Sequence, residues 1–96
     1  MTRFALTPAA KADLVELYDL IEQDDPRAAS RVLARLRTAM RRLARTPGLG
    51  HLREDLADEA LRFWPVYSYL IVYRPETRPL QIIRVVHGVR DVRRLL

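Results

Sequence analysis

The sequence contains no cysteine, so it can form neither a disulfide nor a thiolate metal site, and thiol redox chemistry is excluded. It has one lysine, Lys11, and two histidines, His51 and His87. No apolar run approaches the roughly 20 residues that a membrane-spanning helix needs. We therefore expect a cytoplasmic protein, without membrane association, whose stability comes from packing.

The length and composition predict one domain over residues 1–96. About half of the side chains are apolar (49%), which is enough for a chain of 96 residues to build a single core. A chain of this size buries roughly 60 to 65% of its unfolded surface, and a second domain would not fit.

Charge is unevenly distributed along the chain, although the net charge is only +5. Residues 1–25 sum to −4, residues 26–53 to +8, residues 54–60 to −4 and residues 61–96 to +5. The charges of the first three blocks sum to zero, so the net positive charge lies in residues 61–96. Because every basic residue except Lys11 is arginine, planar contacts to carboxylate or phosphate are favoured, although a GC-rich genome would give the same bias.

Two helices are predicted in the first half of the chain. Thr7-Pro8 and Asp25-Pro26 each place a capping side chain before a proline at the first helical position. Apolar residues then recur at helical spacing, first at Leu14, Leu17, Tyr18 and Ile21, and then at Val32, Leu36, Ala39, Met40 and Leu43. The short link predicts an antiparallel hairpin that sets an acidic helix beside a basic one. The basic helix either is neutralised by the acidic one or meets an acidic partner or nucleic acid.

The second half of the chain has the pattern of strands. A loop is predicted over residues 47–60, with a short acidic turn at 54–59. Strands are predicted at 61–64, 68–73 and 80–87, with Pro65 in the first connection. A further edge strand is expected at 3–6 and a short helix at 92–96, capped by Asp91. The predicted fold class is α+β, with a helical hairpin packed on a small, mostly antiparallel sheet whose central strand is 68–73.

Four segments in this order resemble the RelE/ParE superfamily of toxins from type II toxin-antitoxin systems. They are LTPAAKADLVELYDLIEQDDPRAA, RTPGLGHLREDL, LRFWPVYSYLIVYRP and IIRVVHGVRD, and together they cover nearly the whole chain. The resemblance implies a toxin that is neutralised by a cognate antitoxin, whose C-terminal segment folds onto the helices and sheet in a higher-order complex. No cofactor is implied, and contact with DNA is expected only through the antitoxin.

The superfamily divides into branches of different chemistry, since function belongs to sites rather than folds. ParE-like members poison DNA gyrase without being nucleases, whereas RelE-like members cut mRNA on the ribosome. HGVRD resembles the ParE-like pattern, and the chain lacks the lysine-rich tail and terminal tyrosine of RelE-like nucleases. A gyrase-inhibiting toxin is therefore predicted; the alternatives are a metal-independent endoribonuclease and an inactive antitoxin-binding fold.

Candidate site residues lie in the last third of the chain. If the protein inhibits gyrase, no catalytic residue is predicted. If it is a ribonuclease, the candidates for acid-base catalysis and phosphate binding are His87, Arg84 and Arg62. No metal site is predicted. The residues predicted to bind the antitoxin or the target are Arg62, Arg74, Arg84, His87, Arg90, Arg93 and Arg94.

Some of these residues have structural interpretations as well. His87 could bond the backbone where the chain leaves the sheet at Gly88. Arg84, expected on the same sheet face as Ile82 and Val86, could pair with an acid such as Glu59 or Asp91. Among the aromatic residues, Tyr67 is expected to be exposed in a turn, and the register decides whether Phe63 or Trp64 points inward.

Overall fold

The computed structural model describes residues 3–52 and 60–88. Helix α1 spans Pro8–Asp24 and helix α2 spans Pro26–Arg45, so that Asp25 alone separates them. As predicted, Thr7 caps α1 by accepting from Ala10 N–H, and Asp25 caps α2 by accepting from the N–H groups of Arg27 and Ala28. The two caps start both helices of the hairpin at their prolines. A short 3₁₀ helix at Pro47–Leu49 follows α2.

Four strands form one mixed sheet in the order β1-β4-β3-β2. Strand β1 is Phe4–Leu6, β2 is Arg62–Val66, β3 is Tyr69–Arg74 and β4 is Leu80–His87. The β2–β3 and β3–β4 pairs are antiparallel, whereas β1 runs parallel to β4. The α+β class, the hairpin and the N-terminal edge strand are therefore confirmed, and β4 joins β3 in the interior of the sheet.

The connection between β2 and β3 differs from the prediction. Pro65 lies within β2, and the turn consists of Tyr67 and Ser68. Proline is tolerated because β2 is an edge strand that needs no donor there. Tyr67 has a positive φ of 53° and is 66% exposed, which confirms the predicted exposure of its ring.

The sheet buries apolar side chains on both faces. Three alternate residues of β3, Tyr69, Ile71 and Tyr73, pack against the helices. Trp64 of β2 and helix residues such as Leu36 and Met40 belong to the same cluster. A second cluster on the opposite face contains Phe63, Val72 and Val86, with Leu61, Leu70 and Ile83 packed against it. Trp64 therefore faces the helices and Phe63 faces away.

A β-bulge in β4 overturns the predicted strand alternation. Val72 pairs with Arg84, but the next residue, Tyr73, pairs with Ile82, which leaves Ile83 as an extra residue in β4. Ile82 consequently packs with the helix-side cluster and Val86 with the opposite one. The prediction that Ile82, Arg84 and Val86 share one face was therefore wrong, because an inserted residue reverses the side-chain alternation beyond it.

Several predictions fall outside the described residues: the acidic turn at 54–59, the C-terminal helix with its Asp91 cap, and the candidate residues Arg90, Arg93 and Arg94. In the described part of the chain, no helix is both long and apolar enough to cross a membrane.

Candidate functional site

Two polar side chains, Thr7 and Asp13, connect the start of helix α1 to β4 at its bulge through hydrogen bonds. The Thr7 hydroxyl donates to the Ile83 carbonyl (2.7 Å), and the Thr7 N–H donates to the Ile82 carbonyl (3.1 Å). Six residues further along the chain, in α1, the Asp13 carboxylate accepts from the Val85 N–H (2.9 Å). These contacts satisfy backbone groups that the bulge and the end of β1 leave without a strand partner.

Arg84 forms a bidentate ion pair with Asp13. Its Nε lies 2.7 Å from Asp13 Oδ2 and its Nη2 lies 2.9 Å from Oδ1. The hydrogen bonds to Asp13 outweigh partial desolvation and raise the pKa of Arg84 above its usual range. The Arg84 side chain is 35% exposed, so a fixed cation stands at the surface beside α1. Asp13, rather than the expected Glu59 or Asp91, is its acidic partner in the described chain.

The end of β4 presents His87 at the surface. His87 is exposed, and its ring meets the ring of Tyr69 edge-on at a centroid distance of 5.3 Å. Burial raises the pKa of Tyr69. Tyr69 thus supports an exposed imidazole at the end of the strand.

A buried hydroxyl holds the turn after α2 against the sheet. Tyr73 Oη donates to the Pro47 carbonyl (2.6 Å) and accepts from the Gly50 N–H (2.8 Å). Arg62 Nη1 donates to the Gly50 carbonyl (2.8 Å) and more weakly to that of Gly48 (3.4 Å). The guanidinium of Arg62 therefore fixes this turn.

Beyond that turn, three side chains form a stack at the edge of the sheet. The His51 and Trp64 rings are nearly parallel (12°) with centroids 6.0 Å apart, and Arg42 of α2 lies 5.7 Å from the Trp64 ring centre. His51 also pairs with Phe63 through both backbone hydrogen bonds, which extends the β2 edge. His51 lies within the loop predicted over residues 47–60; it is exposed but ordered by these contacts.

The structure does not gather the predicted candidate residues into one catalytic group. Arg62 pairs with Tyr73 across β2 and β3, whereas His87 pairs with Tyr69 four residues along β3. Strand geometry separates Arg62 from His87 by roughly 13 Å along the sheet and roughly 10 Å across it. Arg74 is exposed at the end of β3 that lies away from His87. Arg84 and His87 share the last part of β4.

Sequence reasoning did not find Asp13, the Tyr73 hydroxyl or the His51–Trp64–Arg42 stack. Asp13 reads as one of several acids on an exposed helix, and its contacts with Arg84 and Val85 join residues more than 70 positions apart. No local pattern encodes such contacts. Within residues 3–52 and 60–88, no cluster of three or more potential metal ligands occurs. What the described residues do present is a set of ordered cations and aromatic rings at the surface, with Arg84, His87 and the His51–Trp64–Arg42 stack.

Comparisons with known proteins identify the class. The sequence model of the family described as "ParE toxin of type II toxin-antitoxin system, parDE" matches residues 4–92. The chain belongs to this ParE toxin family, within the RelE/ParE superfamily that its sequence resembles.

Relatives and a solved structure agree with this assignment. "Putative toxin Y4kP" of Sinorhizobium fredii is 35% identical over 86 residues, covering 90% of this chain and 85% of the relative. "Toxin RelE2" of Caulobacter vibrioides is 34% identical over 90 residues, covering 94% and 99%. A chain of the "Chromosomal ParDE TA system from P. aeruginosa" has the same fold, with a TM-score of 0.76, 20% identity, and coverage of 92% of this chain and 97% of that one.

Proposed function

We propose that this toxin arrests growth by inhibiting DNA gyrase and that a cognate antitoxin neutralises it. The proposal rests on the matched ParE family and on one structural observation: of the side chains that a ribonuclease would use, Arg62 lies far from His87, and both Arg62 and Arg84 are bound to other groups of the protein. Arg62 bonds two carbonyls of the turn, and Arg84 binds Asp13. A binding mechanism requires only that such cations stand at fixed positions on the surface.

The target surface we propose is the end of β4, with Arg84 and His87, together with the arginines that follow it in the sequence, Arg90, Arg93 and Arg94. Arg74, at the other end of β3, would make a separate contact. Arg84 Nη1 has no hydrogen-bond partner among the described residues, so its two N–H groups are left for a carboxylate or carbonyl of a partner. Arg62 is not part of this surface, because its guanidinium binds the turn beside β2. The same cations would attract an antitoxin segment that is apolar with an excess of acid.

One comparison favours an alternative function. A relative with 34% identity is named "Toxin RelE2", and RelE-like toxins are mRNA endoribonucleases. In that case His87 would act as acid or base with Arg84 near the phosphate, without a metal. A toxin fold that has lost activity is the third possibility, and expression without antitoxin distinguishes it, since either active toxin would stop growth.

The decisive experiment runs two assays on one preparation of the purified toxin. Gyrase supercoiling and DNA cleavage are measured beside mRNA cleavage on programmed ribosomes. We expect inhibited supercoiling, accumulated gyrase–DNA cleavage complexes and intact mRNA. Unchanged gyrase with cuts at defined codons would overturn the proposal in favour of the ribonuclease.

A variant tests the role of the β4 end. His87→Gln changes an exposed side chain and should reduce gyrase inhibition without loss of folding, as judged by circular dichroism. Arg78→Gln is the matched control, because Arg78 is exposed and bonds only carbonyls of its own turn, those of Pro75 and Thr77. If both variants inhibit gyrase as strongly as the wild type, His87 does not belong to the target surface.

A further inference from the structure

The outward face of α2 carries a dense array of arginines that the toxin–antitoxin and gyrase proposals do not use. At about 100° per residue, six arginines fall within an arc of about 120° opposite the buried residues Leu36 and Leu43. The six are Arg27, Arg31, Arg35, Arg41, Arg42 and Arg45, and all are exposed. They form a strip roughly 27 Å long. We call these six residues the α2 arginine strip.

The strip is not neutralised within the described part of the protein. No arginine of α2 forms an ion pair with a residue of 3–52 or 60–88, although the acidic helix α1 lies alongside. Neutralisation within the hairpin, the first of the two expectations for the basic helix, is therefore not realised through close ion pairs. Arg42 contacts Trp64, which orders its guanidinium without removing its charge.

The arrangement is unfavourable to the isolated helix. Arg27, Arg31 and Arg35 follow one another at four-residue spacing, as do Arg37, Arg41 and Arg45. Like charges at this spacing repel on a helix surface, and a cation in the first turn opposes the helix dipole. An external anion would relieve this repulsion.

The side chains that lie between the arginines of the strip are typical of a surface that binds nucleic acid rather than protein. Within the arc, the remaining positions are Ala34 and Thr38, both exposed, and the large exposed apolar side chains of the described chain lie outside α2. Protein interfaces depend on buried apolar or aromatic anchors at their centre, which this strip does not offer. Phosphate contacts need only cations, hydroxyls and amides.

A cleft beside the strip adds hydroxyl donors. It runs between α1 and α2 and is lined by Ser30, Thr38, Arg37 and Arg41, together with Tyr18, Leu33 and Ala34. Hydroxyl and guanidinium groups in one groove are the usual partners of phosphate oxygens.

We propose that the α2 arginine strip binds the phosphate backbone of double-stranded DNA directly and without sequence preference. This goes beyond the expectation that DNA is reached only through the antitoxin, and it does not depend on gyrase being the target. The toxin would thereby contribute its own electrostatic contact wherever its complexes meet DNA.

The test is fluorescence anisotropy of the purified toxin with two labelled duplexes of unrelated sequence, titrated from about 50 to 200 mM salt. We expect equal affinity for both duplexes. Six phosphate contacts correspond to a slope of log K against log salt of about −5, or roughly a thousandfold loss over this range. Absence of binding at the lowest salt, or a strong preference for one sequence, would overturn the proposal.

A matched pair of variants locates the contact. R31Q/R35Q removes two charges from the strip, and K11Q/R78Q removes two exposed charges outside α2. Glutamine has nearly the helix propensity of arginine and lysine, so both variants should fold, as circular dichroism will show. The strip variant should lower the magnitude of the salt slope by about 2, whereas the control variant should leave it unchanged. Equal effects would mean that only net charge matters, and the proposal would fail.

An acidic protein partner is the competing occupant. In one experiment, polyglutamate with the same total charge as the duplex is added to the preformed toxin–duplex complex. In a second, the affinity of R31Q/R35Q for the antitoxin is measured. We expect the duplex to remain bound and antitoxin affinity to stay at the wild-type level. Displacement by polyglutamate, or a loss of antitoxin binding in R31Q/R35Q, would assign the strip to a protein instead.

Discussion

At the scale of single residues, Tyr73 joins the turn after α2 to the sheet. Its side chain is fully buried, and its hydroxyl satisfies one donor and one acceptor of the turn backbone. Buried backbone groups that lose their partner carry the full cost of desolvation. The local order of the turn therefore depends on one oxygen atom from β3.

Replacing Tyr73 by phenylalanine should destabilise the protein by about 1 to 3 kcal/mol, because the Gly50 N–H and the Pro47 carbonyl lose their partner. Urea denaturation of the wild type and variant measures this difference. Tyr69→Phe is the control: the Tyr69 hydroxyl has no hydrogen bond to a described residue, and its ring contact with His87 is kept. A similar loss in both variants would contradict the assigned role.

The same hydroxyl predicts a dependence on alkaline pH. Desolvation raises the pKa of Tyr73 above its ordinary value of 10.0, against smaller opposing effects of the Gly50 hydrogen bond and of Arg62. A group whose pKa is raised by folding contributes stability that is complete below its unfolded pKa and is lost as pH rises towards the folded value. The free energy of unfolding should therefore fall as the pH rises above about 10. The fall should be smaller in Tyr73→Phe; identical pH profiles would argue against this contribution.

Gly50 is required for the close approach of Tyr73. A Cβ at position 50 would lie 2.3 Å from Tyr73 Oη and 2.7 Å from its Cε1, and the buried ring has no room to yield. Gly50→Ala should therefore cost about 1 to 3 kcal/mol by overpacking. Gly48→Ala should change stability by less than about 0.5 kcal/mol, since a Cβ there meets nothing within 4 Å. Thermal unfolding of the two variants compares them, and equal melting temperatures would refute the argument.

At the scale of elements, the β4 bulge and the start of α1 form one unit. Two backbone groups of β4, the Ile83 carbonyl at the bulge and the Val85 N–H beyond it, form hydrogen bonds with the side chains of Thr7 and Asp13. The ion pair with Arg84 adds a charge-assisted, bidentate contact to the same carboxylate. The position of α1 on the sheet is thus set by polar contacts as well as by the core.

Asp13→Asn should lower the free energy of unfolding by about 1 to 2 kcal/mol, because an amide cannot accept the paired bonds of Arg84 and the Val85 N–H equally well. The value is modest since Arg84 is partly exposed and solvent screens the pair. Chemical denaturation at low and high salt measures it. Glu16→Gln is the control, because Glu16 acts on Arg84 only at longer range. A larger loss for Glu16→Gln would contradict the arrangement.

At the scale of the whole molecule, cations are divided between two surfaces. The end of β4 carries Arg84 close to apolar side chains, whereas the α2 arginine strip is almost free of them. The first suits a protein partner and the second suits a phosphate backbone. The exposed Val15 and Leu20 of α1, 61% and 59% exposed, offer further apolar contact to an antitoxin.

Association with an acidic, apolar antitoxin segment should weaken as salt rises, mainly through a slower association rate, because opposite charges steer the encounter. Stopped-flow or surface-based kinetics at several ionic strengths measure this rate. An association rate that is insensitive to salt would show that the cations do not guide the antitoxin.

Much of the fold followed from local patterns in the sequence. The caps at Thr7 and Asp25, the apolar spacing of both helices and the alternation of Tyr69, Ile71 and Tyr73 act within a few residues, so the sequence determined the hairpin and the strands. The family, too, could be identified from the order of four motifs. These features depend on residues that are close to one another in the sequence.

Only the tertiary structure decided which polar groups meet. The bulge at Ile83 depends on the register of two strands, and the Asp13–Arg84 pair joins residues 71 positions apart. Arg62, a candidate for target binding in the sequence, holds a turn in the fold, and the last third of the chain keeps Arg84 and His87 at its surface. Such contacts arise from packing between distant segments, for which the sequence carries no local periodicity.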